Sequence, residues 1–159
     1  ASSEQLEKET FVEDTLAILK EYDFPPSQLW IEITERCRDL PISMIKKTVT
    51  AFREAGIHIT MDDYGTGSSS SQMMLELPVE GIKIDMCFVS DIFEEKKKQA
   101  LVIGMVNFAH AADLRICIEG IENSDLESYL RQFDVTLFQG YHYSKPICQD
   151  ELMKLLIKP

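Results

Sequence analysis

Acidic side chains stand where several short apolar runs of the sequence end. Glu32 lies in the run WIEIT, Asp62 and Asp63 follow the run ITM, and Glu119 follows RICI. An inward-facing carboxylate is costly unless it is paired or bound to a metal, so this repeated placement indicates a shared site. Carboxylate oxygens are the ligands that hard divalent cations prefer. The pattern therefore predicts a metal-dependent hydrolase.

The carboxylates can share a site only if the surrounding elements bring the ends of the strands together. Apolar residues at helical spacing predict helices, and the short apolar runs between them predict strands. The predicted order is helix 9–22, strand 29–34, a helix between Pro41 and Gly56, strand 57–61, helix 73–77, strand 81–85, helix 97–112, strand 115–119, helix 124–132, strand 135–138 and helix 149–157. This alternation predicts an α/β protein with a parallel sheet and covering helices.

Two architectures fit this alternation, a (β/α) barrel and a doubly wound sheet. The predicted strands are nearly continuous apolar runs, which predicts burial on both faces in either architecture. In a barrel the active groups come from the C-terminal ends of many strands, whereas a doubly wound sheet gathers its ligand contacts at one crevice. Because nearly every strand end here carries a polar group, the sequence favours a barrel.

The composition predicts one globular domain that does not bind duplex nucleic acid. Of the 159 residues, 45% are hydrophobic, which suits one core and is too little for two domains. The net charge of −11 at pH 7 disfavours contact with a phosphate backbone, which needs a clustered basic face. A phosphate ester would therefore need metal ions to offset the repulsion. Neither a P-loop nor a GxGxxG motif occurs.

The sequence predicts a cytoplasmic chain without membrane contact. No apolar run approaches the roughly 20 residues that span a bilayer, and the first residues lack the pattern of a signal peptide. The four cysteines lie far apart with no CxxC pair, which indicates neither a zinc site nor a disulfide framework. We expect them to be reduced and mostly buried.

Five motifs follow one another along the chain. They are EITE at 32–35, DDYGTG at 62–67, KID at 83–85, EGIE at 119–122, and QGY at 139–141 followed by SKP at 144–146. Together they resemble the EAL-type cyclic-di-GMP phosphodiesterases, a family of TIM-like barrels in bacterial signalling proteins. DDYGTG combined with KID is much more specific than any single motif. The resemblance covers essentially the whole chain, which we expect to be a single domain over 1–159.

The resemblance implies cleavage of cyclic-di-GMP to linear pGpG with two divalent cations. Glu32 and Asp62 would bind one Mg²⁺ or Mn²⁺ directly, and Asp63 would help to hold a second ion and the attacking water. Two such ions could activate a water, neutralise the phosphate oxygens and stabilise the leaving alkoxide. Ca²⁺ is expected to inhibit.

The resemblance also implies that Lys83, Glu119 and Gln139 are catalytic residues together with Asp63. Lys83 would orient the nucleophilic water or balance developing charge, with a structural ion pair to Asp85 as the alternative. Glu119 would be a general base or a ligand of the second metal, and Gln139 would hydrogen-bond near the water or the ions. The residues expected to support the substrate or the loop after β-strand 57–61 are Glu35, Glu122, Gly65, Thr66 and Gly67.

The resemblance also implies that the chain is a piece of a longer domain. The family's first three strands, roughly 80 residues of a typical barrel, would precede Ala1. We therefore expect a partial TIM-type (β/α) barrel with about five of eight strands that is weak or inactive alone. Two open edges predict a homo-oligomer or a strand-exchanged dimer, and other signalling domains are expected in the parent chain.

Two other functions remain open at this point. A catalytically silent module that binds cyclic-di-GMP or a protein partner would keep the same fold and motifs. Another metal-dependent barrel, such as an enolase-type lyase, would use the carboxylates but leave DDYGTG and the QGY turn unexplained. Cleavage of cyclic-di-GMP in the presence of metal separates the phosphodiesterase from both.

Overall fold

The computed structural model describes residues 1–34, 37, 40–67 and 70–157. The helices in this part are α1 Ser3–Glu7, α2 Phe11–Glu21, α3 Ile42–Glu54, α4 Ser70–Glu76, α5 Lys96–Ala111, α6 Ser124–Arg131 and α7 Gln149–Leu156. The strands are β1 Trp30–Thr34, β2 His58–Tyr64, β3 Gly81–Ile84, β4 Arg115–Ile118 and β5 Leu137–Phe138. Short 3-10 helices lie at Pro26–Gln28 and Met86–Phe88.

The strands form one parallel sheet in the order β1-β2-β3-β4-β5. Each strand pairs with the next one along the chain, so the intervening segments cross over from one strand to its neighbour. β1 and β5 are the two edges of this five-stranded sheet. The predicted α/β class and parallel sheet are confirmed, and the arrangement is consistent with part of a (β/α) barrel.

Isoleucines on one face of the sheet form the centre of the core. Their exposed fractions are between 0% and 1%, and they are Ile33, Ile59, Ile82, Ile84, Ile116 and Ile118. α3 adds Val49 and Phe52 to the same core, and α5 adds Val102. Full burial of such a side chain contributes roughly 1.5–3 kcal/mol, so helix packing against this face fixes the position of each strand.

The opposite face of the sheet is only partly covered, which differs from the expectation of burial on both faces. In β4, Arg115 is exposed and Cys117 is partly exposed, whereas Ile116 and Ile118 are buried. β3 alone is buried at every position. Within the described part of the chain, the five strands do not close around their concave face, so alternate side chains there reach solvent.

Several elements differ from the sequence prediction, β5 and α1 among them. β5 is shorter than the predicted strand 135–138, because the Ile116 N–H donates to Thr136 Oγ1 (3.2 Å) instead of to a main-chain carbonyl. Helix α1 was not predicted, although Ser2 and Gln5 form a capping box at its start.

The cysteines are free, but their burial was predicted wrongly. Cys37 is buried and Cys117 is partly buried, whereas Cys87 and Cys148 are exposed. Cys87 lies on the short helix Met86–Phe88, and Cys148 is the N-cap residue of α7. Separately, none of the helices in the described ranges is both long and apolar enough to cross a membrane.

Candidate active site

The C-terminal ends of the strands bring the predicted site residues to one edge of the sheet. Parallel strands place all their carboxyl ends at the same edge. The main-chain ladder continues one residue past two strands, because Glu119 N–H donates to Ile84 O (3.0 Å) and Gln139 N–H donates to Ile118 O (2.9 Å). Glu119 and Gln139 are therefore held in the ladder although they lie outside the strands.

An irregularity in β2 turns two carboxylates towards β3. Met61 pairs with Ile82 and Tyr64 pairs with Ile84, so Asp62 and Asp63 together oppose the single residue Lys83. Asp63 has a φ of 54°, in the left-handed region that aspartate tolerates better than most residues. This bulge explains how consecutive aspartates can serve one site.

Lys83 is the centre of the charged cluster. Its Nζ lies 2.5 Å from Glu119 Oε1, 2.8 Å from Glu32 Oε1 and 3.3 Å from Asp62 Oδ1, and its side chain is only 8% exposed. Asp85, the partner of the alternative interpretation, accepts a hydrogen bond from Cys87 N–H (2.8 Å) and caps the short helix Met86–Phe88. Lys83 thus joins carboxylates from three other segments of the chain.

The pKa of Lys83 is raised above its ordinary value. Burial alone lowers this pKa, but the hydrogen bonds to Glu119 and Glu32 and the negative charge of Asp62 outweigh that effect. Lys83 is therefore protonated at neutral pH. It can donate hydrogen bonds and balance negative charge, but it cannot accept a proton in this state.

Asp62, Asp63 and Glu119 form an acidic trio that fits a cation. One carboxylate oxygen of each lies within 4.8 Å of the others. Among the described residues, Asp62 Oδ1 is a buried oxygen without a hydrogen-bond partner, although Lys83 Nζ lies 3.3 Å away. A buried oxygen that lacks a donor is what a metal ion would satisfy, and oxygen-only ligation suits Mg²⁺ and Mn²⁺. The donor set therefore fits hard divalent cations.

Glu32, the other predicted metal ligand, is joined to the trio through Lys83. Its side chain is 47% exposed, compared with 19% for Asp62 and for Glu119. The predicted support residue Glu35 lies outside the described residues. Glu122 lines another cavity of about 240 Å³ with Met86, and the residues of the acidic trio do not line this cavity.

The turn after β2 packs tightly against neighbouring helices. Thr66 donates to Asp63 O from both its backbone N–H (3.1 Å) and its hydroxyl (2.9 Å). Gly65 has a φ of 92°, and a Cβ there would lie 2.4 Å from Met105 Cε in α5. Because Met105 Cε is the end of a flexible side chain that could move, the positive φ is the main reason for glycine at position 65. Gly67 follows as an exposed residue.

The concave face also carries residues that the motif analysis missed. A cavity of about 160 Å³ is lined by Glu32, Lys83 and Gln139 together with Thr60 and Cys117. Burial raises the pKa of the Cys117 thiol to about 11, so it remains protonated beside the charged cluster. Thr60 and Cys117 could have been found from the two-residue period of a strand, because each lies two residues before a site carboxylate.

A family model described as the EAL domain matches residues 1–146. The chain is 30% identical over 146 residues to the cyclic di-GMP phosphodiesterase PdeR of Escherichia coli, covering 92% of this chain and 22% of PdeR. It is also 30% identical over 151 residues to the cyclic di-GMP phosphodiesterase PA2567 of Pseudomonas aeruginosa, covering 95% of this chain and 26% of the relative. The chain thus spans about a quarter of the length of these curated relatives.

Solved structures have the same fold, and one of them is an EAL enzyme. The EAL enzyme Bd1971, bound to cAMP and cyclic-di-GMP, superposes with a TM-score of 0.93 at 30% identity, covering 98% of this chain and 41% of that chain. BlrP1 of Klebsiella pneumoniae, in a complex with manganese and cyclic-di-GMP, superposes with a TM-score of 0.79 at 27% identity, covering 86% of this chain and 35% of that chain.

Proposed function

The chain belongs to the EAL domain family, and on this premise we propose that it hydrolyses cyclic-di-GMP to linear pGpG with divalent metal ions. The observation that carries the proposal is the acidic trio of Asp62, Asp63 and Glu119, in which the buried Asp62 Oδ1 accepts no hydrogen bond. The names of PdeR and PA2567 as cyclic-di-GMP phosphodiesterases support the choice of substrate.

The charge balance of the site supports an anionic substrate only when cations are bound. The site brings together one ammonium, from Lys83, and four carboxylates, from Glu32, Asp62, Asp63 and Glu119. Four negative charges and one positive charge leave a net charge of −3, which repels a phosphodiester. Two divalent cations would make the site net positive. When bound, such ions supply an activated water and positive charge next to the phosphate oxygens.

We assign the side chains to distinct tasks. Glu32 and Asp62 would hold one ion, and Asp63 a second. Lys83 stays protonated and donates to the carboxylates and to the reacting oxygens, so it balances charge and does not act as a base. Glu119 either accepts the proton of the attacking water or holds the second ion, and Gln139 orients the water.

Residues outside the cluster have supporting parts in the proposal. The turn at Gly65, Thr66 and Gly67 fixes Asp63, because Thr66 bonds to its carbonyl. Glu35 and Glu122 keep their predicted role of substrate or loop support. We propose Mg²⁺ or Mn²⁺ as the ion, with Ca²⁺ inhibitory, since Ca²⁺ takes more ligands at longer distances than Mg²⁺. The manganese complex of BlrP1 supports this choice.

The open sheet suggests that the segment functions in a larger assembly. β1 and β5 are edge strands, and α7 exposes Leu152, Leu155 and Leu156. We propose that this chain forms one domain over 1–159, is weakly active by itself and associates as a homodimer that covers these surfaces. A cytoplasmic location belongs to the same proposal, because all four cysteines are free. Light scattering of the purified chain tests the dimer, and a monomer would contradict it.

The test of function is the product formed from cyclic-di-GMP. The chain is incubated with Mg²⁺, Mn²⁺ or Ca²⁺, and the products are separated by ion exchange and identified by mass; PdeR is the positive control. We expect linear pGpG with Mg²⁺ or Mn²⁺ and none with Ca²⁺. Glu119→Gln should abolish cleavage, whereas Asp113→Asn, an exposed substitution in a turn, should not.

Two results would contradict the proposed phosphodiesterase activity. Binding of cyclic-di-GMP without cleavage, while PdeR cleaves it, would support the silent binding module. If the chain neither binds nor cleaves cyclic-di-GMP in the presence of Mn²⁺, then cyclic-di-GMP is not the ligand of this chain.

A further inference from the structure

Two loops at the active-site edge are joined through the backbone of Ile121. Its N–H donates to Gln139 O (3.0 Å), and its carbonyl accepts from His142 N–H (2.9 Å). The Ile121 side chain is fully buried. A Cβ added to Gly140 would lie 2.1 Å from Ile121 O, so only glycine allows this approach. The loop after β4 and the turn after β5 are therefore joined into one unit.

Side chains on the outer side of this unit contact α6. Glu127 Oε2 lies 3.1 Å from His142 Nε2, and Glu127 Oε1 pairs with Arg131 on the same helix. The Arg131 guanidinium in turn lies 5.4 Å from the ring centroid of Phe138, the last residue of β5. The Glu127 side chain is only 15% exposed. One carboxylate thus connects the helix, the strand end and the turn.

Helix α6 is itself well fixed. Asn123 caps it, with Oδ1 accepting the Leu126 N–H at 2.9 Å, and Leu126 and Leu130 are buried in the core. Glu127 lies in the first turn of this helix, where a carboxylate is also favoured by the helix dipole. A contact to Glu127 therefore ties the turn after β5 to a rigid element.

We propose that Glu127 and His142 are positioning residues, whose contact fixes Gln139 relative to Glu119. The proposal rests on the phosphodiesterase function proposed above. His142 follows Gln139 by three residues in one turn, and Ile121 follows Glu119 by two. Release of His142 lets the turn shift, and the shift reaches Gln139 through the Ile121 hydrogen bond. A misplacement of about 1 Å far from the chemistry can cost up to about 100-fold in rate.

If the contact between Glu127 and His142 only stabilised the fold, its removal would have a different effect. Removal would lower the melting temperature, while the remaining folded protein kept its kcat. A positioning contact changes kcat in folded protein and leaves substrate binding nearly intact, because neither Glu127 nor His142 belongs to the acidic trio. The two roles are therefore distinguished by measuring kcat and KM separately in folded protein.

The experiment uses variants that remove or keep the hydrogen-bonding group. His142→Ala and Glu127→Ala remove it, and His142→Gln keeps a donor that can reach Glu127. His110→Ala is the matched control, because His110 Nε2 also makes one bond between elements, to Asp134 O at 3.1 Å, but ahead of β5. The kcat and KM for cyclic-di-GMP are measured with Mn²⁺, at a temperature where every variant is folded.

We expect His142→Ala and Glu127→Ala each to lower kcat about tenfold with KM changed less than about twofold. His142→Gln should recover kcat to within about twofold of the parent chain. The double variant should be no slower than Glu127→Ala, because Glu127→Ala already removes the contact to His142. His110→Ala should leave kcat unchanged. An unchanged kcat in His142→Ala, or no recovery in His142→Gln, overturns the proposal.

A second readout keeps the proposal testable if the parent chain does not cleave cyclic-di-GMP. That result would contradict the proposed function, and the NMR resonances of the Gln139 side-chain amide would then decide the positioning. Their chemical shifts should differ from those of the parent chain in His142→Ala, and should match those of the parent chain in His142→Gln and in His110→Ala. Resonances that do not move in His142→Ala overturn the proposal independently of activity.

Discussion

Replacement of Lys83 by methionine tests the charge balance of the site. Lys83→Met keeps an unbranched apolar stem of the same length, with sulfur in place of the δ-methylene, and removes the ammonium group. Three carboxylates, Glu32, Asp62 and Glu119, then lose the cation that lies 2.5–3.3 Å from them. Removal of one partner from a buried ion pair costs about 3–5 kcal/mol. Because water reaches the half-exposed Glu32, we expect Lys83→Met to lower the free energy of unfolding by the smaller of these values, about 3 kcal/mol.

This loss is large enough to measure by calorimetry. In a domain of this size, about 1 kcal/mol shifts the melting temperature by roughly 2–4 °C, so 3 kcal/mol corresponds to about 6–12 °C. The chain and its Lys83→Met variant are unfolded at pH 7 in EDTA. Lys8→Met is the matched control, because the Lys8 ammonium also pairs with a carboxylate (Asp14, 2.6 Å) but its side chain is 61% exposed. Lys8→Met should lower the free energy of unfolding by less than about 1 kcal/mol.

The same variant should respond more strongly to metal. Mn²⁺ would supply the positive charge that Lys83→Met lacks, so it should raise the melting temperature of the variant more than that of the parent chain. Cleavage of cyclic-di-GMP should nevertheless fall. A variant that is as stable as the parent chain in EDTA would refute the reasoning. So would a variant that gains no extra stability from Mn²⁺.

Three further predictions concern the rest of the fold. Gly140→Ala should destabilise the chain by about 1–3 kcal/mol in denaturant unfolding, because its Cβ would overlap the Ile121 peptide. Gly104→Ala, in α5 with open space around the Cβ, should instead stabilise by about 0.5–1 kcal/mol; the opposite sign in either variant contradicts the packing described. Hydrogen bonding to Arg131 holds the pKa of Glu127 below its ordinary value of 4.5, so its stabilisation is present above that pH and is lost as pH falls. The difference in melting temperature between the parent chain and Glu127→Gln should accordingly be present at pH 7 and shrink below pH 4.5, and a constant difference would contradict this.

The order of elements could be predicted from the sequence because the helical spacing of apolar residues differs from the short, nearly continuous apolar runs of the strands. Parallel pairing followed from their alternation, and the structure confirms it. The short β5 could not be predicted, because the Thr136 hydroxyl replaces a main-chain acceptor and such a substitution leaves no mark in the apolar pattern. Helix α1 could have been predicted, since the capping pair Ser2 and Gln5 is visible in the sequence.

The candidate site was only partly predictable. The motifs named Asp62, Asp63 and Glu119, which the structure brings together; their roles stay predictions. The bulge that turns both aspartates towards Lys83 depends on the register between β2 and β3, which the sequence does not state. Glu127 and His142 were missed as partners because they are 15 residues apart and belong to no motif, so only the packing of α6 against the turn reveals their contact.

Binding of Mn²⁺ to the acidic trio tests the central claim most directly. Bound Mn²⁺ is measured by electron paramagnetic resonance or calorimetry for the parent chain, for Asp62→Asn and for the exposed control Asp113→Asn. We predict that the parent chain and the control bind Mn²⁺ equally, and that Asp62→Asn weakens binding by about tenfold or more, because it removes a charged ligand. Equal binding by Asp62→Asn, or no binding by the parent chain, would contradict a divalent cation site at Asp62, Asp63 and Glu119.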